Sequence, residues 1–130
     1  METTRSYDLL ERTAVFGENI IRFCIYLPKT VVTTPLIYQL VKAGTSVGAN
    51  YTEADNAESK PDFRHKISIC RKESAESGFF LRMINVAVPD KEPESSVLRQ
   101  EAIELNLIFN SIYQKTKNKR VIRTDAKNRR

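Results

Sequence analysis

The stretch that decides the fold is residues 60–88, KPDFRHKISICRKESAESGFFLRMINVAV. Its apolar and small residues recur in alternating steps of four and three, the spacing of one face of a helix. That face consists of Phe63, Ile67, Cys70, Ser74, Ser77, Leu81, Ile84 and Val88. Ser59 and Asp62 form a capping pattern, Pro61 lies in the first turn, and Pro89 ends the segment. The sequence therefore predicts a helix of about 27 residues, ~40 Å long at 1.5 Å rise per residue.

Three further segments, at about residues 5–27, 35–54 and 96–113, show the same stepping. Their stripes are Leu9, Thr13, Phe16, Ile20, Phe23 and Leu27; Leu36, Leu40, Ala43, Val47, Asn50 and Ala54; and Leu98, Ala102, Leu105, Phe109 and Ile112. No segment shows the alternating pattern of a strand. Four helices joined by short connections predict an all-α fold, an antiparallel up-down-up-down four-helix bundle.

Proline and hydroxyl residues mark the expected helix ends. Pro28 should end the first helix, because proline disfavours helical backbone in the residue before it. Thr33 or Thr34 should cap the second helix, whose first turn contains a proline. Ser95 or Ser96 should cap the fourth helix.

Small residues fill the middle of the second helix, over residues 43–50. Gly44 and Gly48 would each cost about 1 kcal/mol in a helix interior relative to alanine. Close approach of a neighbouring helix and a helix kink are two explanations that would offset this cost. A loop at either glycine is the third.

The positive charge is concentrated at the C-terminal end. Of the 21 Lys and Arg residues, eight lie in residues 115–130, together with one of the 16 acidic residues. The net charge of +5 therefore comes from this segment, because the rest of the chain has more acids than bases. The length predicts one domain, with the bundle in residues 1–114 and a basic, flexible tail in residues 115–130.

The two cysteines, Cys24 and Cys70, fall at apolar-face positions, so we expect both to be buried, reduced thiols. Residues 1–7 lack the basic and apolar pattern of a targeting segment. No run approaches the roughly 18 apolar residues of a membrane span. These features predict a cytoplasmic protein with no membrane partner.

The third and fourth helices carry more apolar residues than one inward stripe requires. The additional residues are Ile69, Phe79, Phe80, Met83, Val86, Ala87, Ile103, Leu107 and Ile108. A wide core-facing stripe is one explanation. Burial against a second subunit is the other, and it is favoured because large exposed apolar patches are unusual on soluble monomers.

Motifs for catalysis and cofactor binding are missing from the sequence. His65 is the only histidine, and Glu73 and Glu76 form a Glu-x-x-Glu pair without the histidine of a ferritin-type di-iron site. The sequence also lacks a phosphate-binding loop and a dinucleotide fingerprint. We therefore expect no metal, no cofactor and no enzymatic activity.

Three glutamates, Glu53, Glu73 and Glu76, still require an explanation. Glu73 and Glu76 lie in line with Ile69 and Phe80 at helical spacing, so partial burial and pairing with a base are expected. The candidate partners are Lys66, Arg71, Lys72 and Arg82. A surface ion-pair strip and a structural network both remain open, with catalysis as a third explanation.

Basic residues give the strongest functional indication, because closely spaced Lys and Arg side chains can bind phosphate groups without recognising the nucleotide sequence. The expected nucleic-acid-binding residues are Arg64, Arg71 and Lys72 in the third helix, and Lys115, Lys117, Lys119, Arg120, Arg123, Lys127, Arg129 and Arg130 in the tail. A tail that only solubilises the protein, or that contacts an anionic membrane surface, is the alternative.

Residues 45–54, TSVGANYTEA, resemble the Ser-small-x-x-Ala-Asn-x-x-Glu-Ala segment of the four-helix-bundle proteins encoded in intervening sequences of bacterial 23S rRNA genes. Residues 60–67 and 72–76 match the third helix of that family in type and spacing. The fold is also similar to the accessory variability protein of diversity-generating retroelements. The resemblance covers about residues 9–115 and leaves out the basic tail.

The resemblance implies a ring-shaped homopentamer with basic surfaces suited to nucleic acid, and it implies no catalytic residues. Together with the charge pattern, it supports an oligomeric protein that binds RNA or DNA. The alternative is a protein–protein adaptor whose ring docks a nucleic-acid enzyme such as a reverse transcriptase. An enzyme that uses Glu53, Glu73 and Glu76 is the third hypothesis.

Overall fold

The computed structural model describes the backbone of residues 2–128 and the side chains of residues 8–117. The elements are α1 (Glu2–Ile25), α2 (Thr33–Asp55), α3 (Lys60–Ala87) and α4 (Glu92–Asn128), with a 3-10 turn at Pro89–Lys91. Within residues 2–128 there is no strand. The prediction of an all-α four-helix bundle is confirmed.

Each helix packs against the next in sequence, and α1 makes a smaller contact with α4 that closes the bundle. Contact partners follow opposite orders along each neighbouring pair of helices. They include Thr13–Gly48 and Ile20–Gly44 between α1 and α2, Lys66–Glu53 and Cys70–Val47 between α2 and α3, and Asn85–Ser95 and Arg71–Asn106 between α3 and α4. Residue numbers rise along one helix and fall along its neighbour, so consecutive helices run in opposite directions.

The stripes read from the sequence form the core, since all of their residues are buried or half-buried. Four of them are polar, and the three that carry a hydroxyl are Thr13, Ser74 and Ser77. Each donates its hydroxyl hydrogen to the carbonyl four residues earlier, over 2.7–2.8 Å. Such a bond satisfies the hydroxyl inside the helix, so a polar residue in the stripe leaves no unpaired group in the core.

Tyr51 and Phe109 meet in the core, with ring centroids 5.8 Å apart. Tyr51 is only 5% exposed, although it lies outside the stripe predicted for α2. The core-facing side of α2 is thus wider than the four-and-three stepping indicates.

Gly44 and Gly48 lie inside α2, so the explanation that placed a loop at these residues is wrong. A Cβ atom at Gly44 would lie 2.9 Å from the Ile20 side chain. At Gly48 it would lie 3.2 Å from the backbone of Thr13. Both distances are shorter than ordinary carbon contacts. The predicted close approach of a neighbouring helix is confirmed, and that helix is α1.

Of two helix ends, one matches the expectation from the local sequence and the other differs from it. Ser59 caps α3 as predicted, with its hydroxyl oxygen accepting from the Asp62 backbone N–H at 3.2 Å. In contrast, α1 ends at Ile25, earlier than Pro28 requires. The Lys29 ammonium donates to three carbonyls at this end, over 2.7–3.0 Å. A side chain beyond the helix therefore satisfies carbonyls that the sequence pattern assigned to a longer helix.

The predicted caps of α2 and α4 are wrong. Thr33 is the first residue of α2, and its hydroxyl donates to the carbonyl of Pro28 at 2.5 Å instead of capping the helix. Ser95 lies in the first turns of α4, where it is buried and hydrogen-bonded to Asn85 of α3. The hydroxyls of both residues bind partners that do not belong to the start of their own helix. Sequence rules for capping take no account of such partners.

The fourth helix continues past Gln114 without a break and ends at Asn128. The expected boundary between bundle and tail at residue 114 is thus not the end of a helix. That residues 1–114 form the folded bundle without the tail stays a prediction. No helix in the described part of the chain is long and apolar enough to cross a membrane.

The two cysteines are buried and free, as predicted. Burial raises the pKa of the Cys24 thiol to about 11 and that of the Cys70 thiol to about 12. Both thiols therefore stay protonated at neutral pH in the folded protein.

Candidate nucleic-acid interface

A row of basic side chains follows the outer side of the α3–α4 pair. We call it the arginine face, and it consists of Arg64, Arg71, Arg82, Arg99 and Lys117. Arg64 and Arg82 are separated by eighteen residues, as are Arg99 and Lys117, and eighteen residues make five full turns of an α-helix. Each pair therefore lies along one line of its helix.

The antiparallel register brings the two lines together. Arg82 and Arg99 line the same shallow cavity of about 280 Å³, at the end of the pair near the 3-10 turn. Since the helices run in opposite directions, Arg64 and Lys117 lie together near the opposite end. The same cavity is also lined by Phe79, Ile103 and Leu107. The arginine face thus has basic ends, and between them lie Arg71 and an apolar centre.

Arg71 is fixed between these ends by Tyr113 of α4. Its guanidinium carbon lies 4.0 Å from the centroid of the Tyr113 ring. The side-chain amide of Asn106 donates to the Arg71 carbonyl at 2.8 Å, and Asn110 donates to Asn106 at 3.1 Å. The contact with the Tyr113 ring and the hydrogen bond from Asn106 join α3 to α4 here. Arg71 is half-buried at this surface.

Two acidic residues of α4 contact α1. Glu101 and Glu104 of α4 bind Arg12 of α1, at 2.8 Å and 3.1 Å. Among the described side chains, no ion pair involves Arg71, Arg82 or Arg99. Residues 105–124 of α4 contain no Asp or Glu. The positive charge of the arginine face is therefore not neutralised by ion pairs within the described structure.

The structure places the predicted binding residues in three groups. Arg64 and Arg71 are half-buried on the arginine face. Lys72 is exposed but lies about 100° around the helix from Arg71, off this face. Lys115 and Lys117 are exposed on α4. The side chains of Lys119, Arg120, Arg123, Lys127, Arg129 and Arg130 lie outside the described residues.

Sequence reasoning did not include Arg82 and Arg99 among the binding residues. Arg82 was one of four candidate partners for Glu73 and Glu76, but it lines the α3–α4 cavity instead. The eighteen-residue spacing of the basic residues was the available signal. It becomes informative only when the register shows that the two lines share one face.

The three glutamates have different surroundings. Glu53 accepts a hydrogen bond from the ammonium of Lys66 at 2.6 Å. Lys66, a candidate partner of Glu73 and Glu76, therefore pairs with Glu53 instead. Burial raises the pKa of Glu73, with a further increase from the nearby charge of Glu76, while Lys72, Ser46 and Lys42 oppose the shift. Among the described residues, no group of three acidic, histidine or cysteine side chains is arranged to hold a metal ion. Among the described side chains, neither Glu73 nor Glu76 forms an ion pair with a base, so the expected pairing is not found.

Seven of the nine apolar residues beyond the main stripes divide into two sets. Phe80, Ala87 and Ile108 pack against the core, as a wide core-facing stripe predicts. A second set stays exposed: Phe79 at 52%, Val86 at 78%, Ile103 at 42% and Leu107 at 61%. Three of these exposed residues line the centre of the arginine face.

A second groove, of about 590 Å³, lies between α1 and α4. Val15, Phe16 and Leu98 supply its apolar wall. Glu101 and Glu104 lie at its edge, where Arg12 binds both carboxylates. Because acidic side chains repel phosphate groups, this groove is a poorer candidate for nucleic acid than the arginine face.

These features define a class: an antiparallel four-helix bundle with a basic outer face on its third and fourth helices. Within that class, the chain belongs to the family of 23S rRNA-intervening sequence proteins, whose sequence profile matches residues 5–111. The family predicted from residues 45–54 is confirmed.

A solved structure supports the same fold. It is the crystal structure of a protein of unknown function from the S23 ribosomal protein family, from Bacteroides thetaiotaomicron VPI-5482. The two chains are 25% identical with a TM-score of 0.72, over 81% of this chain and 97% of the other. No protein with a curated description matches the sequence at a significant level.

Proposed function

We propose that this protein is a cytoplasmic, oligomeric nucleic-acid-binding protein whose arginine face contacts phosphate groups. The observation that carries the proposal is the alignment of four arginines and Lys117 on one face, with no ion pair to Arg71, Arg82 or Arg99 among the described residues. The basic residues of Lys115–Arg130 continue this charge along the chain and form part of the proposed binding surface.

Charge segregation is what makes the proposal physically reasonable. The residues before 115 carry more acids than bases, so their net charge would not attract a polyanion. The structure places acidic side chains of α4 against Arg12 of α1 and leaves the α3–α4 side basic. A local positive field attracts phosphates even on a body of small net charge.

The test is a salt series measured by fluorescence anisotropy, with labelled RNA and DNA and the full chain. Replacing Arg82 and Arg99 together by alanine should lower affinity, and should reduce the slope of log K against log salt by about 1.4–1.8, since each phosphate contact contributes roughly 0.7–0.9. The matched control replaces Arg22 and Lys91, which removes the same charge from other surfaces. Equal losses in both variants would mean that the face has no special role.

The second candidate function is that of an oligomeric adaptor that docks another protein. It is favoured by Phe79, Ile103 and Leu107, which expose apolar surface next to one another. Such a patch is more typical of an interface than of a monomer surface. The family resemblance adds the expectation of a homopentamer, which remains part of this proposal.

Light scattering coupled to size exclusion distinguishes the two candidates. Leu107→Arg places a charge in the apolar centre, so it should break an assembly that uses this patch. The same substitution adds a positive charge, so nucleic-acid affinity should be kept or increased if the face binds phosphates directly. Loss of assembly together with loss of binding would indicate that binding requires the oligomer.

A further inference from the structure

Arg71 and Tyr113 form a small platform within the arginine face. The guanidinium carbon lies 4.0 Å from the centroid of the tyrosine ring, so the ring covers part of the guanidinium. Arg71 is half-buried, so part of its side chain is reachable from solvent. A guanidinium plane is one of the surfaces on which unpaired bases stack in protein–nucleic acid complexes.

The groups around this platform suit an unpaired nucleotide. Lys117 lies one turn beyond Tyr113 on α4, and Arg64 lies two turns before Arg71 on α3. The side chains of Lys117 and Arg64 are therefore near enough to contact the phosphates that flank a stacked base. The amides of Asn106 and Asn110 lie beside the platform and carry hydrogen-bonding groups of both kinds. Stacking, phosphate contact and amide groups are therefore brought together in one place.

We propose that this platform binds single-stranded nucleic acid by stacking a base on the guanidinium of Arg71, with Tyr113 as the positioning residue. The inference rests on the proposed nucleic-acid binding and specifies its ligand. In a duplex the bases are already stacked on one another, so the platform would offer them nothing beyond phosphate contact. Stacking on a free base is therefore expected to favour single strands over duplexes.

The experiment uses the full-length protein and two kinds of labelled probe: single strands of about 12 nucleotides, as RNA and as DNA, and duplexes of the same sequence. The single strands carry 2-aminopurine, whose fluorescence changes when the base stacks. The expected result is an affinity for single strands at least tenfold higher than for duplexes, with a change in 2-aminopurine emission on binding.

Two variants separate stacking from charge. Arg71→Lys keeps the charge and removes the planar group, so it should lower single-strand affinity about 5–20-fold, abolish the 2-aminopurine change and leave duplex binding within about twofold. Tyr113→Leu keeps an apolar contact with Arg71 but removes the ring, and it should have the same effect in a smaller degree. Lys72→Ala, which lies off the face, should affect neither the stacking signal nor the preference for single strands.

The outcomes distinguish this inference from the function on which it rests. Equal binding of single strands and duplexes, with no effect of Arg71→Lys, would overturn the stacking platform and leave phosphate binding intact. Failure of all probes to bind would overturn both proposals. A preference for single-stranded RNA over single-stranded DNA would support the platform and identify RNA as its ligand.

Discussion

Gly48 shows how strongly the α1–α2 contact depends on single atoms. A Cβ at this position would lie 3.2 Å from the backbone carbon and oxygen of Thr13, which no side-chain rotation relieves. Gly78, in α3, offers a contrast, because a Cβ there would only reach Ala102 at 3.8 Å, an ordinary contact. Both residues lie inside helices, so the two sites differ in packing and not in secondary structure.

Gly48→Ala is expected to destabilise the protein by about 1–2 kcal/mol. Overpacking costs about 1–3 kcal/mol, and the gain in helix propensity offsets up to about 1 kcal/mol of it. Gly78→Ala, the control, should be neutral or stabilising by up to about 1 kcal/mol. Urea unfolding followed by circular dichroism measures both; equal changes in the two variants would contradict the packing argument.

Glu73 should make stability depend on pH in the weakly acidic range. Burial and then the charge of Glu76 raise its pKa above the usual 4.5, while Lys72, Ser46 and Lys42 oppose the shift. The folded state therefore holds this proton more tightly than the unfolded chain does. Stability contributed by the protonated form is complete below the unfolded pKa and is lost as pH rises through the folded pKa.

Glu73→Gln should accordingly be more stable than the unsubstituted protein at neutral pH, and the advantage should disappear below about pH 4. Denaturant midpoints measured from pH 3.5 to 7.5 test this expectation. Glu58→Gln, at an exposed position in the α2–α3 connection, is the matched control and should show no such trend. A Glu73→Gln variant that is less stable at neutral pH would contradict the sign of the effect.

At the scale of elements, the contact between α1 and α4 is the smallest in the bundle. The guanidinium of Arg12 spans it with two parallel bonds of 2.8 Å to the carboxylate oxygens of Glu101. The Glu101 interaction, with Glu104 adding to it, raises the pKa of Arg12. Bidentate geometry makes this pair stronger than most surface ion pairs.

A double-mutant cycle between Arg12 and Glu101 should give a coupling energy of about 0.5–1 kcal/mol, at the upper end for partly exposed pairs. The comparison is the Glu18–Arg22 pair within α1, which is 3.9 Å apart and more exposed. That pair should couple by less than about 0.3 kcal/mol. If hydrogen exchange near Arg12 is unchanged in Arg12→Ala, the pair does not restrain α1.

At the scale of the whole molecule, the C-terminal part of α4 concentrates the charge that distinguishes this chain. Replacing all eight basic residues of 115–130 by glutamine keeps helix propensity nearly constant and removes the positive charge. Nucleic-acid affinity should fall at low salt, and the residual binding should have a shallower salt dependence. Unchanged affinity for both RNA and DNA would show that these residues are not part of the interface.

Local periodicity was sufficient to predict four helices and nearly all of the core, because a residue's place on a helix is fixed by 3.6 residues per turn. The resemblance of residues 45–54 led to the family, and the positions of the basic residues led to three members of the arginine face, Arg64, Arg71 and Lys117. Sequence rules for capping failed at Thr33 and Ser95, whose hydroxyls bind partners outside their helix starts.

What the sequence by itself determined, then, is which residues share a face of each helix. Only the tertiary structure decided which faces meet, because the register between two antiparallel helices is set by packing contacts far apart in sequence. That register brings Arg82 beside Arg99 and Arg71 over Tyr113, and it turns Glu101 and Glu104 towards Arg12. The same charges, spread along a linear sequence of small net charge, thereby become one basic side and one acidic side.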